Sequence, residues 1–367
     1  MSTSSRAFFC LLLCIFFFSY QFYLVKRVSN TLRPYRSKNA AIHVLIISTW
    51  RSGSSFLGQI FNHHPDVFYL FEPGHPVWMR FRNEGAAVLH YPVRDLIHSL
   101  FTCDVTPLQH YWGRRRENAN QMKFLRALCS PCSLPTLPEG YNHSNCHEEC
   151  KNSTFENMTK TCDTYSHRVM KTVRILDFSV LLPLFRDPAL DLRIIHLVRD
   201  PRAIASSRRF FILDQEDQIV KEHDNSTKTS LMSKICRAQA NIYRAATADN
   251  YLARRHEDLA RDPIVNVKKI YGFSSLEMTK DLEEWVHNVT HVHANDENVF
   301  MSFSRQSTKV IQQWRETLDF KEVKEIEENC KEAMDLFGYL PVTSKRDQKK
   351  MNLNFFFMTR GGVLQVI

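Results

Sequence analysis

"VLIISTWRSGSSFLGQIF", residues Val44 to Phe61, reads as a buried strand, a small polar turn and a helix. In open α/β sheets, ligands gather at the carboxyl ends of strands, where helix N-termini present unpaired amides. The turn Thr49, Trp50, Arg51, Ser52, Gly53, Ser54, Ser55 occupies that place. Gly53 lets the backbone approach an anion closely, and Ser52, Ser54 and Ser55 offer hydroxyls and amides. Arg51 adds a permanently charged fork of donors. The G-x-x-x-x-G-K-[ST] pattern is absent, so the lysine and magnesium-binding hydroxyl of a nucleotide triphosphatase have no counterpart.

Around this stretch the pattern is that of an α/β protein. Ile42–Ser48, "IHVLIIS", is a continuous apolar run that suits a strand buried on both faces. The following helix carries Phe56, Leu57, Ile60 and Phe61 on one side and stops near "NHHP", because Pro65 disfavours helix at the residue before it. "VFYLFEP" supplies the next strand and completes a βαβ unit. "SHRVMKTVRILDFSVLLPLF" gives a further strand and a helix. Leu192–Val198, "LRIIHLV", is another buried strand, followed by a helix with Asp200 as N-cap and Pro201 at its first position. Beyond Ser230 the chain reads as helical in "LMSKICRAQANIYRAAT", "MTKDLEEWVHN" and "VKEIEENCKEAMDLFGY", the last stopped by Gly338. The expected architecture is a three-layer αβα domain over 42–342 with a central parallel sheet. Residues 343–367 show no period, and no repeat is present.

The N-terminus is different in kind. Ala7–Val25 is a run of 19 residues without a charge, near the length that spans a bilayer. It ends in bulky residues rather than a cleavage site, which points to an uncleaved signal-anchor between a tail, 1–6, and a stem, 26–41. The basic stem taken alone favours a cytoplasmic C-terminal side. Five sequons point the other way, at Asn142, Asn152, Asn157, Asn225 and Asn288, as do eight cysteines beyond the span. Five of those cysteines crowd into "ALCSPCSLPTLPEGYNHSNCHEECKNSTFENMTKTC", which reads as a glycosylated, disulfide-laced loop, with a zinc site drawn from Cys129, Cys132, His143, Cys146, His147 and Cys150 as the alternative. Arg6 and the stem carry most of the formal charge of +9, leaving +3 on residues 42–367. That excludes the broad basic field of a nucleic-acid binder.

A second anion-binding stretch accompanies the first. In "HLVRDPRAIASSR", Arg199 ends a strand and Ser207 lies eight residues on, in the helix. The two stretches, with their order and separation, resemble those of the Golgi carbohydrate sulfotransferases that sulfate the 6-hydroxyl of N-acetylglucosamine or galactose. "FEP", "SHRVMKTVR", "HEDLARDP", "WVHNVTH" and "WRETLDF" extend the resemblance from Ile42 to about Val342. It implies a P-loop-like sulfotransferase fold and 3′-phosphoadenosine 5′-phosphosulfate (PAPS) as sulfate donor, with no metal. Thr49–Ser55 would grip the 5′-phosphosulfate. Arg199, Asp200, Pro201, Arg202, Ala203, Ile204, Ala205, Ser206 and Ser207 would hold the 3′-phosphate.

The same resemblance makes Arg51 the group that steadies charge on the leaving phosphate and Glu72, which ends the second strand, the catalytic carboxylate. A capping or ion-paired glutamate is the alternative for Glu72, and His75 in "GHPVW" is a competing base. That five-residue stretch departs from the family pattern and leaves acceptor choice open. Lys171 and Arg174 are candidates to face the sulfate, Arg305 and Ser307 to close a loop over the donor, and Arg114–Arg116 to meet a sulfated chain. Trp314 reads as core. The expected protein is a type II Golgi enzyme sulfating the 6-hydroxyl of N-acetylglucosamine in glycoprotein or keratan-type glycans, with homo-oligomerisation possible. A galactose 6-sulfotransferase, a metal-independent Golgi glycosyltransferase and a non-enzymatic lectin are the alternatives.

Overall fold

The computed structural model describes residues 41–112, 155–209, 214–221, 228–246, 249–291, 307–351, 353, 355 and 356. All belong to one unit, Ala41–Ile367. Among the described residues no helix is long and apolar enough to cross a membrane. The expected span over 7–25 lies outside them, as do the stem to residue 40, the cysteine-rich loop with its zinc alternative, and Arg114–Arg116.

The chain runs β1 (Ile42–Ile47), α1 (Ser54–Asn62), β2 (Val67–Phe71), α2 (His75–Arg80), α3 (Ala86–Phe101), β3 (His167–Thr172), β4 (Asp191–Val198) and α4 (Pro201–Arg208). It continues through α5 (Asp214–Lys221), α6 (Lys228–Ala245), β5 (Tyr251–Arg255), α7 (His256–Arg261), α8 (Pro263–Ser274), α9 (Lys280–His291), α10 (Phe320–Asn329) and α11 (Lys331–Phe337), with short helices between. The five strands form one parallel sheet in the order β2-β3-β1-β4-β5. From β1 the chain moves out to β2 and returns through β3, then crosses to β4 on the other side of β1. The strand order therefore reverses at the β1/β4 pair, and the crevice beyond the carboxyl ends of those strands is where such sheets bind ligands.

Alternation along β1 explains why its run is apolar throughout. Leu45 and Ile47 enter a cluster with Leu89, Val93 and Ile97 of α3, Ile235 and Ile242 of α6, and Val323 of α10. Val44 and Ile46 enter the opposite cluster with Leu57 and Ile60 of α1, Val267 and Ile270 of α8, and Val286 of α9. Helices thus cover both faces of the sheet, as an all-parallel sheet requires.

Three local expectations change. The last long helix breaks at Cys330, whose backbone leaves the helical region and whose sulfur is bonded to Cys236 of α6. A second disulfide joins Cys103 to Cys162. β5 is absent from the sequence reading because "YLARR" ends in two arginines, both of which the fold buries. The aperiodic C-terminal stretch packs as far as Phe356: Leu340 N donates to Phe355 O (2.8 Å), Gln348 Nε2 donates to Leu318 O (2.8 Å), and the Arg315 guanidinium donates to Lys350 O and Leu353 O.

The Cys236–Cys330 bond closes 94 residues of chain, a loop length for which cross-linking contributes roughly 4–5 kcal/mol. Replacing both cysteines by serine should lower the melting temperature by roughly 10 °C. An unchanged melt would show that the bond does not restrain the unfolded chain.

Candidate active site

Beyond β1, Ser48 Oγ donates to Leu197 O (2.6 Å), which binds the exit of β1 to β4. The turn closes on itself through Thr49 Oγ1 and Ser52 Oγ (2.8 Å) and through Ser52 N donating to Thr49 O (3.3 Å). These two side chains are buried and shape the turn. Two residues in it have left-handed backbone, Arg51 at φ 69° and Gly53 at φ 81°. Glycine is required at 53 on a second count, because a Cβ there would lie 2.3 Å from His256 Nδ1. Among the described residues no side chain caps α1, and with Phe56 N and Leu57 N donating to Gly53 O, the Ser54 and Ser55 amides are left to a ligand or to water.

The two basic stretches meet. Arg51 Nε donates to Ser207 Oγ (3.0 Å), and Arg199 Nη1 donates to Arg51 O (2.6 Å). Arg199 Nη2 also reaches Val310 O (3.3 Å). His256 lies beside them, buried and held neutral: burial and then the Arg199 charge lower its pKa to about 3. Among the described residues its Nδ1 has no hydrogen-bond partner.

Other residues of the second stretch turn inward. Asp200 caps α4 by accepting from Arg202 N (2.9 Å), and its own amide donates to Glu257 Oε1 (3.1 Å). The Arg202 guanidinium is fully buried between Asp200 (2.8 Å) and Glu327 (2.8 Å), 4.3 Å from the Trp314 ring centroid. Pro201, Ala203 and Ile204 are buried, Ala205 packs against the core, and Ser206 Oγ pairs with Thr317 Oγ1 (2.6 Å). Arg199 and Ser207 are the side chains of this stretch that reach Arg51. The others build the support behind them, Trp314 included.

Trp50 carries the turn to a second charged group. Its ring packs on Trp78 (5.3 Å between centroids), and the Arg174 guanidinium lies 5.5 Å from Trp50 and 5.8 Å from Trp78. Arg174 and Lys171 both donate to the Glu72 carboxylate, and Arg174 Nη2 donates to Glu216 Oε1 (2.5 Å). His75 Nε2 stands 3.9 Å from the same Glu216 oxygen. Glu72 is itself left-handed, φ 46°, a strained conformation for a non-glycine residue. Burial alone would raise the Glu72 carboxyl, but Lys171 and Arg174 outweigh it and hold it well below the usual carboxylate range. Burial raises Glu216 against the pull of Arg174, with Glu72 adding to the rise. Burial and Arg174 lower His75 to about 4, against the pull of Glu72. One carboxylate is thus firmly ionised, its neighbour is a readier proton acceptor, and the histidine is neutral near pH 7.

Glu216 and His256 were not candidates from sequence. "DQEDQIV" reads as a solvated acidic face, and only the long-range contact with Arg174 reveals Glu216. Asn288 is exposed on α9, whereas Asn142, Asn152, Asn225 and Arg305 lie outside the described residues, and nothing is described of the Asn157 and Ser307 side chains.

A family described as "Sulfotransferase domain" matches residues 41–338. The chain belongs to the sulfotransferase family. Human carbohydrate sulfotransferases 6 and 5 are each 39% identical to it, covering 86% and 85% of this chain and 85% and 81% of their own. Mouse carbohydrate sulfotransferase 4 is 38% identical, covering 85% of this chain and 86% of its own. The chain is a carbohydrate sulfotransferase by this relationship, and the glycosyltransferase and lectin alternatives fall with it. The family and the two-ended anion geometry both agree with PAPS as the sulfate donor. The Arg51–Ser207 seam thus gathers two guanidiniums and a hydroxyl beyond the carboxyl ends of β1 and β4.

Arg202 and Ser207 separate support from contact. Arg202→Met leaves buried Asp200 without its ion-pair partner and Glu327 with Lys324 alone (2.7 Å), and should cost roughly 3–5 kcal/mol of stability. Ser207→Ala should melt as the parent does while binding 3′-phosphoadenosine 5′-phosphate about tenfold or more weakly, the worth of one hydrogen bond to a charged group. Calorimetric titration beside thermal melts checks both. Parent-like affinity in Ser207→Ala would remove it from the donor site.

Proposed function

We propose that this chain transfers the sulfuryl group of PAPS to the 6-hydroxyl of N-acetylglucosamine in glycoprotein or keratan-type glycans. The observation that carries the reading is the contact of Arg51 with Ser207, backed by Arg199 on the Arg51 carbonyl. It gives two anion-holding stretches one shared seam, which suits a donor with phosphate at both ends. Thr49–Ser55 and the N-terminus of α1 take the 5′-phosphosulfate, and Arg199 and Ser207 take the 3′-phosphate. In this reading residues 7–25 are the anchor, 26–41 the stem, and the domain from residue 42 lies in the Golgi lumen. Sequons at Asn142, Asn152, Asn157, Asn225 and Asn288 support that side of the membrane, and Asn288 stands exposed on α9.

The acceptor oxygen attacks sulfur in line, the new O–S bond forms as the bond to the 5′-phosphate breaks, and the electron pair leaves on the phosphate oxygen. Arg51 meets that growing charge, a contribution of roughly 2.7–4 kcal/mol by comparison with single oxyanion donors. Glu72 receives the hydroxyl proton. An ionised carboxylate between two cations is a weak base, which is adequate here because the hydroxyl becomes strongly acidic only as its bond to sulfur forms. Lys171 and Arg174 hold Glu72 in place, and Trp50 couples Arg174 to the donor turn.

A secreted form beginning in the stem, assayed with labelled PAPS, should sulfate acceptors ending in N-acetylglucosamine in preference to those ending in galactose. The opposite order would replace the proposed acceptor. Glu72→Gln should lower kcat by roughly 10²–10⁴-fold with 3′-phosphoadenosine 5′-phosphate affinity unchanged. Because Lys171 and Arg174 depress the carboxyl, it protonates only below the ordinary glutamate value of 4.5, so the acid limb of kcat/KM should fall below pH 4.5. An acid limb near pH 6 would assign the proton to another group.

A further inference from the structure

Between α3, the loop after β3, α5 and α6 lies a cavity of about 220 Å³. One water needs roughly 10–15 Å³, so the space takes a small organic group. It adjoins the Glu72 cluster on two sides. Glu216 contacts Arg174, and Val220, one turn further along α5, lines the cavity. Residues four apart share a helix face and stand about 6 Å apart along the axis. On the other side, Leu176 lines the cavity two residues after Arg174. The cavity therefore borders the residues that hold Glu72.

The lining is mixed in the way sugar sites require, with polar groups of both kinds around a small apolar floor. His90 is buried, and its Nε2 accepts from Leu176 N (3.2 Å), which leaves the ring proton on Nδ1 as a donor. Burial lowers the His90 pKa to about 4 against the pull of Asp177, so the ring keeps this neutral form near pH 7. Lys234 Nζ donates one hydrogen bond, to Lys221 O (2.9 Å), and an ammonium has three to give. Asp177 accepts from Ser179 N through Oδ1 (2.9 Å) and stands exposed at the mouth. Tyr91 rises from α3 on the rim with 54% of its surface exposed, in reach of a ring stacked above the opening.

We infer that this cavity is a second sugar subsite, holding the glycan residue next to the one that is sulfated. The inference rests on the proposed transfer to a glycan hydroxyl at Glu72. It makes the enzyme a reader of oligosaccharides, with affinity drawn from a ring that takes no part in the chemistry.

The test compares a monosaccharide acceptor, methyl β-N-acetylglucosaminide, with a tetrasaccharide of alternating galactose and N-acetylglucosamine ending in N-acetylglucosamine. The parent enzyme should show a KM lower by about tenfold for the tetrasaccharide, equivalent to about 1.4 kcal/mol. Ala87→Trp, which fills the mouth from an exposed position, should raise the tetrasaccharide KM to the monosaccharide value. It should leave kcat, the monosaccharide KM and the PAPS KM unchanged. Tyr91→Ala gives a second variant that adds no bulk, with a smaller change in the same direction. Equal KM values for the two acceptors in the parent, or variants that alter both acceptors alike, would overturn the subsite while leaving the transfer reaction standing. Failure of the parent to sulfate either acceptor would overturn the transfer reading, and the subsite with it.

Discussion

The contact between Arg51 and the second basic stretch is the constraint on which the rest of the site depends. It exists because β1 and β4 are neighbours at the point where the strand order reverses, so the turns that follow them open onto one crevice. Ser48 fixes the height of one strand exit against the other through Leu197 O, and Arg199 then reaches the carbonyl of Arg51 itself. Left-handed backbone at Arg51 and Gly53 turns the chain sharply between β1 and α1, with the Arg51 side chain on Ser207. Such backbone costs on the order of 1–3 kcal/mol at a non-glycine residue, and packing around the turn offsets it.

A second layer of interactions keeps those groups where they are. Arg202 is held by Asp200 and Glu327, and Asp200 is also the cap of α4, so the helix that carries Ser207 is anchored at its first turn to α10. Glu327 further accepts from Val342 N (2.8 Å), and Arg315 holds the carbonyls of the C-terminal stretch. The C-terminal residues therefore brace the donor side of the crevice. On the other side of the turn, Trp50 lies 5.5 Å from the Arg174 guanidinium that holds Glu72, so a shift in the turn is felt at that carboxylate.

The elements legible in the sequence are those fixed by neighbours along the chain. An apolar run followed by "TWRSGSS" suffices for β1, its turn and α1. Asp200 and Pro201 suffice for the start of α4, and Gly338, at φ 73°, stops α11 as its position in the sequence suggests. What was hidden depends on partners far away. Arg202 resembled an anion ligand because its partner Glu327 lies 125 residues on. β5 was disguised by arginines that the tertiary structure buries, as Arg255 is where it donates to Phe337 O (3.2 Å). Glu216 belongs to the site through Arg174 and His75, both far from it in the chain. The C-terminal stretch lacks a period because it is held by hydrogen bonds to its backbone more than by an apolar face.

The most direct measurement is a crystal structure of the domain with 3′-phosphoadenosine 5′-phosphate bound. The account predicts the 5′-phosphate against Arg51 and the first amides of α1, the 3′-phosphate on Arg199 and Ser207, and the nucleoside spanning the β1/β4 crevice between them. Both phosphates gathered on one stretch, or either bound away from Arg51 and Ser207, would contradict it.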